Sequence, residues 1–446
     1  MARGSTVEQL CRTAARPLWE DAPDTTRELV RCSVRDWIAV AVAGSVDPQV
    51  RAVMARTASA APGSRFAATV IGAGVTASVG EAARLGGIAG HVLDYDDTST
   101  GTFEGHPSAV LCPSLLAAGE ASGATLGDLF AAYVNGAQVC QELGAWVGPA
   151  HYAAGWHSTS TIGSVGAAAA VARLLGLDDA GLGNAIAFTA TQVGGVKVAF
   201  GTFAKPLQVG RACAVAVDAA SAAATGTAAP LGAIDEHPIL GGLRDGGREQ
   251  VDLREDVSVL AVEQTLIKWH AACHSTHAAL EAWSRLGIDA NEVEWVEIGV
   301  RPDLLDVCAI DHPTTTLELK FSLRGVAAMA MAAIDTADPT AFGESTLRSP
   351  AWAAELGKVA VRPTDLDSEW QTVLTVGTRG RPPRSVSVDL REANDPGVLR
   401  ERLDEKYDRL VPPVLGAGPA DDLWKLLDDP DDVPVLELVT LLGVAR

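Results

Sequence analysis

Aromatic residues are scarce, with Phe, Trp and Tyr together making up 5% of the 446 residues. A chain this poor in large rings must build its core from small aliphatic side chains, which pack closely enough to suit a large helical body. Positive charge is scarce as well, with 35 Lys plus Arg against 56 Asp plus Glu and a net charge of −21. That balance excludes a basic nucleic-acid-binding face and attraction to an anionic membrane surface. Cysteine pairing is absent: Cys11, Cys32, Cys112, Cys140, Cys213, Cys273 and Cys308 are scattered, odd in number and form no CxxC motif. This is a cytosolic thiol pattern and not a disulfide frame. The longest uncharged run, 143–172, is interrupted by Pro149, His151 and His157, so it is no membrane span. Residues 1–23 carry charges throughout and no apolar stretch, so no secretory signal is expected. A soluble cytoplasmic protein without nucleic-acid or membrane partners is the expectation.

With 48% hydrophobic and 20% charged residues, the chain is globular, and its length predicts two or three domains at roughly 100–200 residues each. Helical periodicity runs through 28–43, 107–120, 126–147, 158–175, 180–192 and 206–224, with only 67–71 reading as a strand. After about residue 265 the texture changes. Period-2 alternation marks strands at 293–301, 358–362, 372–378 and 385–390, and helices are expected at 275–286, 319–334 and 395–410. The stretch 421–442 turns helical again. The expected fold class is mainly α: a large all-α helical domain, 1–266 with 411–446, plus a smaller α+β lid domain, 267–410.

Four segments concentrate chemistry-bearing side chains. The first runs from His91 through Asp94, Asp96, Asp97 and Thr98 to Glu104 and His106, at the end of an apolar helix and just before a helix starting at Pro107. Crowded carboxylates and a helix N-terminus shift pKa values, as an acid/base pair requires. The second, 155–161, places His157, Ser158 and Thr159 before a long apolar helix, where an N-cap and free N–H groups can hold an anion. In the third, Lys205 stands one residue before a helix starting at Pro206, and a cation there reinforces attraction for a carboxylate. The fourth, 268–277, carries Lys268, His270, Cys273, His274 and His277 at the junction of the two textures. Its spacing matches no standard zinc signature, so a cleft-lining acid/base segment is preferred and no metal is expected.

These segments, in this order, resemble the MmgE/PrpD family of 2-methylcitrate dehydratases, cis-aconitate decarboxylases and an iminodisuccinate epimerase. The matching pieces include HVLDYDDT at 91–98, GHPSAVLCPSLLAAGE at 105–120, GTFAKPLQVGRACAVAVDAA at 201–220, KWHAACHSTHAALEA at 268–282 and KFSL at 320–323. The resemblance implies the helical domain with its α+β lid, a homodimer, and no metal or organic cofactor. By position it implies that Asp94, Thr98, His106, His157, Lys205 and Lys268 line an active site closed by the segment around Cys273 and His277. The chain departs from the decarboxylase branch at Cys273, where that branch has His, and at Gly325, where it has an aromatic residue. Ser99 stands where many bacterial members have His. These departures place elimination or epimerisation ahead of decarboxylation.

Family chemistry and residues together point to a cofactor-independent lyase of the dehydratase type. It would move a proton next to a carboxylate of a small di- or tricarboxylate. Asp94, His106, His157, Lys205 and His277 are the expected catalytic residues, and Thr98, Ser158, Thr159, Lys268 and Cys273 are expected to bind substrate. An epimerase or isomerase, or a decarboxylase of a related polycarboxylate, is the alternative on the same scaffold. A third reading keeps the fold as a catalytically inactive binding protein.

Overall fold

A computed structural model describes residues 5–57, 66–241, 259–308, 310–392, 396–427 and 431–443. The helical part holds α1 (Thr6–Ala14), α2 (Asp24–Gly44), α3 (Val79–Val92), α4 (Pro107–Ser122), α5 (Leu126–Val147), α6 (Ser158–Leu174), α7 (Asp179–Ala190) and α8 (Ala204–Ala224). Helix α8 packs along α3 and α6, and α5 packs along α6. Small residues make this closeness possible. A Cβ placed on Gly136 of α5 would lie 2.7 Å from the Ala170 methyl and 3.0 Å from the Gly166 carbonyl of α6. The core follows from the composition, with Ala167–Ala170 buried throughout and rings such as Trp37, Tyr133 and Phe130 few and fully enclosed.

The strand expected at 67–71 forms as β1 (Ala67–Thr69), paired antiparallel with a strand the pattern did not mark, β2 (Thr76–Ser78). Another unmarked pairing joins β3 (Thr98–Ser99) to β4 (Thr265–Leu266). Two or three residues are too few for a period-2 signal to register.

The α+β part is a four-stranded sheet ordered β6-β5-β7-β8, where β5 is Val293–Val300, β6 Val359–Pro363, β7 Gln371–Thr378 and β8 Arg384–Asp389. β5 and β6 are parallel, and the intervening chain supplies the crossover that parallel strands require. Along β7, Thr372, Leu374 and Val376 face inward, and α9 (His277–Leu286) packs beneath β7 and β8.

The single helix expected at 319–334 is broken. A short turn, Thr316–Leu319, is followed by Lys320, Phe321 and Ser322, and α10 spans Leu323–Met331. Ser322 is extended, and its hydroxyl accepts the Gly325 N–H at 2.9 Å, an N-cap that starts a fresh helix. Lys320 is drawn inward, donating at 2.6 Å to both the Leu93 and Ala271 carbonyls. The break turns Phe321 toward a pocket between the two parts. Helix α11 (Pro396–Leu410) lies on α2. The last helical stretch is two helices, Ala417–Leu426 and α12 (Val435–Leu442), with α12 against α4 and β1. No described helix is long and apolar enough to cross a membrane.

Candidate active site

Three helix starts converge on one pocket. His106 is the N-cap residue of α4 and His157 that of α6, while Lys205 sits in the first turn of α8, which begins at Ala204 and not at Pro206. At α6 the expectation that Ser158 or Thr159 caps the helix is corrected. His157 occupies the cap position, and the Ser160 and Thr161 hydroxyls bond back to the His157 carbonyl. That leaves Ser158 and Thr159 in the first turn, where helix N–H groups have no carbonyl four residues behind them. The pocket is lined by Thr98, His106, His157, Thr159, Lys205 and Cys273, all six anticipated from the sequence. Asp94, Ser158 and Lys268 are buried but are not part of its wall.

Asp94 follows the end of α3 with φ 51°, a left-handed conformation that Asp tolerates better than most residues. It is 3% exposed. One of its oxygens accepts from Lys268 Nζ at 2.6 Å and from Lys205 Nζ at 3.1 Å, and Lys268 also donates to the Asp94 carbonyl at 3.0 Å. Burial pushes the Asp94 carboxyl up, but the two ammonium groups outweigh it and hold it well below the usual carboxylate range. Burial likewise pushes Lys268 down, and the charges of Asp94 and Asp96 outweigh it. Asp94 is therefore an ionised anchor for two buried ammonium groups. Of these, Lys205 reaches the pocket wall, 5.1 Å from each of the Phe200 and Phe321 ring centres.

The imidazoles are held neutral. His157 donates from Nδ1 to Gln208 Oε1 at 2.9 Å. The amide's orientation is set because Val196 N–H donates to the same oxygen and Gln208 Nε2 donates to the Val196 carbonyl. His157 Nε2 is consequently a bare acceptor, buried and without a hydrogen-bond partner among the described residues. Burial, then the charge of Lys205, holds His157 well below the ordinary imidazole range. His106 donates from Nδ1 to the Asp97 carbonyl at 2.6 Å, which leaves its Nε2 as the acceptor. Burial holds it down too, against the pull of Asp96. His91 was missing from the anticipated set. Its ring lies 4.9 Å from that of His106 and 6.1 Å from that of His157, with Nδ1 2.8 Å from Asp96. The HxxxxD spacing, five residues across a helix end, was the available signal.

His91, Asp96 and His106 bring ligand-type atoms within 4.8 Å of one another. One atom of each is engaged, as Asp96 takes His91 Nδ1 and the His106 Nδ1 proton goes to the Asp97 carbonyl, while His91 Nε2 and Asp96 Oδ1 have no hydrogen-bond partner among the described residues. Asp97 is structural. It accepts from Ser108 N–H at 3.1 Å and Ser108 Oγ at 2.7 Å, tying the start of α4. Burial raises its carboxyl to about 8.

In the fourth segment, Cys273 reaches the wall, and the neighbouring Cys308 thiol lowers the Cys273 pKa by hydrogen bonding to it. His277 does not reach this pocket. Its Nε2 donates to the Ala272 carbonyl at 3.2 Å, and the ring stacks on His274 at 4.8 Å. The wall also holds Glu104 and His274, which lie in the first and fourth segments but were not expected as site residues, and Tyr152, Phe200, Glu369 and Trp370, which no segment marked. They come from five separate stretches with no shared motif.

Residues 8–241 match the family model of the MmgE/PrpD N-terminal domain. A human protein, cis-aconitate decarboxylase, is 32% identical over 153 residues, a stretch that covers 32% of this chain and 31% of that protein.

Proposed function

The chain belongs to the MmgE/PrpD family, and from that premise we propose that it is a cofactor-independent, dehydratase-type lyase acting on a small di- or tricarboxylate. The observation that carries the reading is a bare, buried imidazole nitrogen, His157 Nε2, in the same pocket wall as the ammonium of Lys205. Removing a proton beside a carboxylate builds negative charge on that carboxylate. A fixed cation in a water-poor pocket stabilises such charge far better than water does. Lys205, kept in place by Asp94, takes this role. His157 Nε2 is the base, and its low pKa keeps it unprotonated at neutral pH. The proton that His157 Nε2 takes up is returned from that same nitrogen to the leaving hydroxyl, and His106, whose own proton is held on the Asp97 carbonyl, presents Nε2 to accept a substrate hydroxyl hydrogen. Thr98, Thr159 and Cys273 complete the substrate contacts in this reading, Ser158 and Lys268 act from behind the wall, Lys268 through Asp94, and His277 supports His274 from behind. The reading takes the enzyme as a homodimer, with the α+β part, 267–410, as the lid.

His157→Ala and Lys205→Ala are expected to lower turnover by roughly 10²–10⁴-fold each while the circular dichroism spectrum and melting profile stay close to wild type. Near-normal turnover of either folded variant overturns the assignment. A second reading, epimerisation, is favoured by two neutral imidazoles, His106 and His157, in one wall. Solvent deuterium entering recovered substrate with no loss of water or CO₂ would select it.

A further inference from the structure

The same pocket carries two carboxylates that the chemistry above does not use. Glu104 lies between β3 and α4, and Glu369 lies just before β7, so the helical part and the α+β part contribute one each. Both are half-buried, whereas Lys205 and His157 are only 4% and 2% exposed, so the acids occupy the more open end. Neither accepts a hydrogen bond or forms an ion pair with a described residue. The neighbouring cations are committed elsewhere. Lys197 donates to the Tyr152 carbonyl at 3.4 Å and sits 3.8 Å over the Tyr152 ring. Arg301 is paired with Asp303, and Arg391 with Asp389. Burial, with the charge of Glu369 adding to it, raises Glu104 to about 7, and burial and Asp303 raise Glu369. Glu104 is also held at φ 48°, a conformation a non-glycine residue adopts at a cost.

Acids alone would say little, but the pocket makes an independent demand for a polar ligand. His157 Nε2 and His274 Nδ1 belong to buried wall residues and have no hydrogen-bond partner among the described residues. The cavity therefore combines a buried cation and unsatisfied polar atoms with two more exposed carboxylates that no described cation pairs with directly, Lys197, Arg301 and Arg391 acting on them only at longer range. Complementary charge placed across such a dipolar site sets both orientation and selectivity.

We infer that the ligand is a zwitterion: a carboxylate compound that also carries a protonated amine, its carboxylate at Lys205 and its ammonium between Glu104 and Glu369. This rests on the proposed function's placement of the substrate carboxylate at Lys205. It narrows the substrate class from polycarboxylates at large to amino-substituted ones.

The test uses matched probes in titration calorimetry on the full chain, succinate against aspartate and glutarate against glutamate, both enantiomers of each amino acid. The wild type is expected to bind at least one amino diacid about tenfold more tightly than its plain partner. In Glu104→Gln and Glu369→Gln that advantage is expected to fall below about threefold, with plain diacid binding unchanged or tighter, while Lys205→Met loses both kinds of probe. Lys205-dependent binding without an amine preference, or a preference that survives both glutamine variants, overturns the zwitterion assignment and leaves the carboxylate site standing. Wild-type binding that survives Lys205→Met, or no binding of any probe, overturns both.

Discussion

His157 and Gln208 share a hydrogen bond of 2.9 Å whose direction is decided by a third party, the backbone of Val196. Because that backbone orients the amide, the imidazole can only donate from Nδ1 and must present a lone pair at Nε2. A side chain on α8 thus selects the tautomer of a residue at the start of α6, and the base of the proposed reaction depends on it.

Gln208→Leu removes this constraint without adding charge. Turnover is expected to fall roughly 10-fold to 10²-fold, at the low end of the acid/base range, with little change in melting temperature. Gln208→Glu puts a carboxylate on Nδ1 and favours the imidazolium, so the acid limb of the pH–rate profile is expected to move to higher pH. A profile unmoved by Gln208→Glu would show that His157 does not titrate in the rate-limiting step.

The wild-type profile has its own expectation. Burial and Lys205 hold His157 below the ordinary imidazole value, so the base stays unprotonated on going below pH 6.5 and activity persists there. Stability runs differently. An unfolded histidine takes up a proton near 6.5 that the folded one refuses, so stability declines as pH falls through that value. Asp94, whose folded pKa lies below its unfolded one, contributes stability above about pH 4 that is lost on further acidification. Denaturant melts at pH 8, 6 and 4 should show a larger loss on acidification for the wild type than for His157→Gln, which cannot take up the proton. An equal acid loss in both would contradict a neutral His157.

Asp94→Asn leaves Lys205 and Lys268 without their shared anion. Lys268 is fully buried, and uncompensated burial of this kind costs about 3–5 kcal/mol. Reduced stability is expected together with loss of turnover. Chemical denaturation at neutral pH checks it, and a loss under about 1 kcal/mol would mean that the two ammonium groups find other partners.

At Asp97 the opposite isosteric change is expected to be benign. With its carboxyl raised to about 8, it is protonated at neutral pH. An asparagine can accept the two Ser108 hydrogen bonds equally well. Since the folded state binds the proton more tightly than the unfolded one, wild-type stability falls from this group as pH rises from about 4 to 8. Asp97→Asn should flatten that dependence, whereas Asp97→Ala should cost about 1–3 kcal/mol by orphaning the Ser108 donors. Equal destabilisation by both changes would show that the ionised form is the native one.

Much of this was written locally. The long helices are legible because their apolar spacing and glycine stops are properties of contiguous residues, and β5 to β8 are legible because alternation over five to eight residues is a strong local signal. So is the gathering of His106, His157 and Lys205 beside helix starts, since capping and helix onset depend on a few neighbours in the chain. The break at Lys320–Ser322 was not legible, because a lysine reaching the Leu93 and Ala271 carbonyls is a bond to distant chain that no window contains. Nor was the choice between neighbouring residues of one motif. Asp94 meets two lysines, Asp96 meets His91 and Asp97 ties down α4, three fates for nearly adjacent carboxylates. The sequence determined that acids, imidazoles and ammonium groups would sit at helix ends in a helical body with a small mixed sheet. Only the tertiary structure decided which of them share a proton, which face the pocket and which merely hold the frame, because charge interactions depend on distances and burial that arise when remote segments pack together.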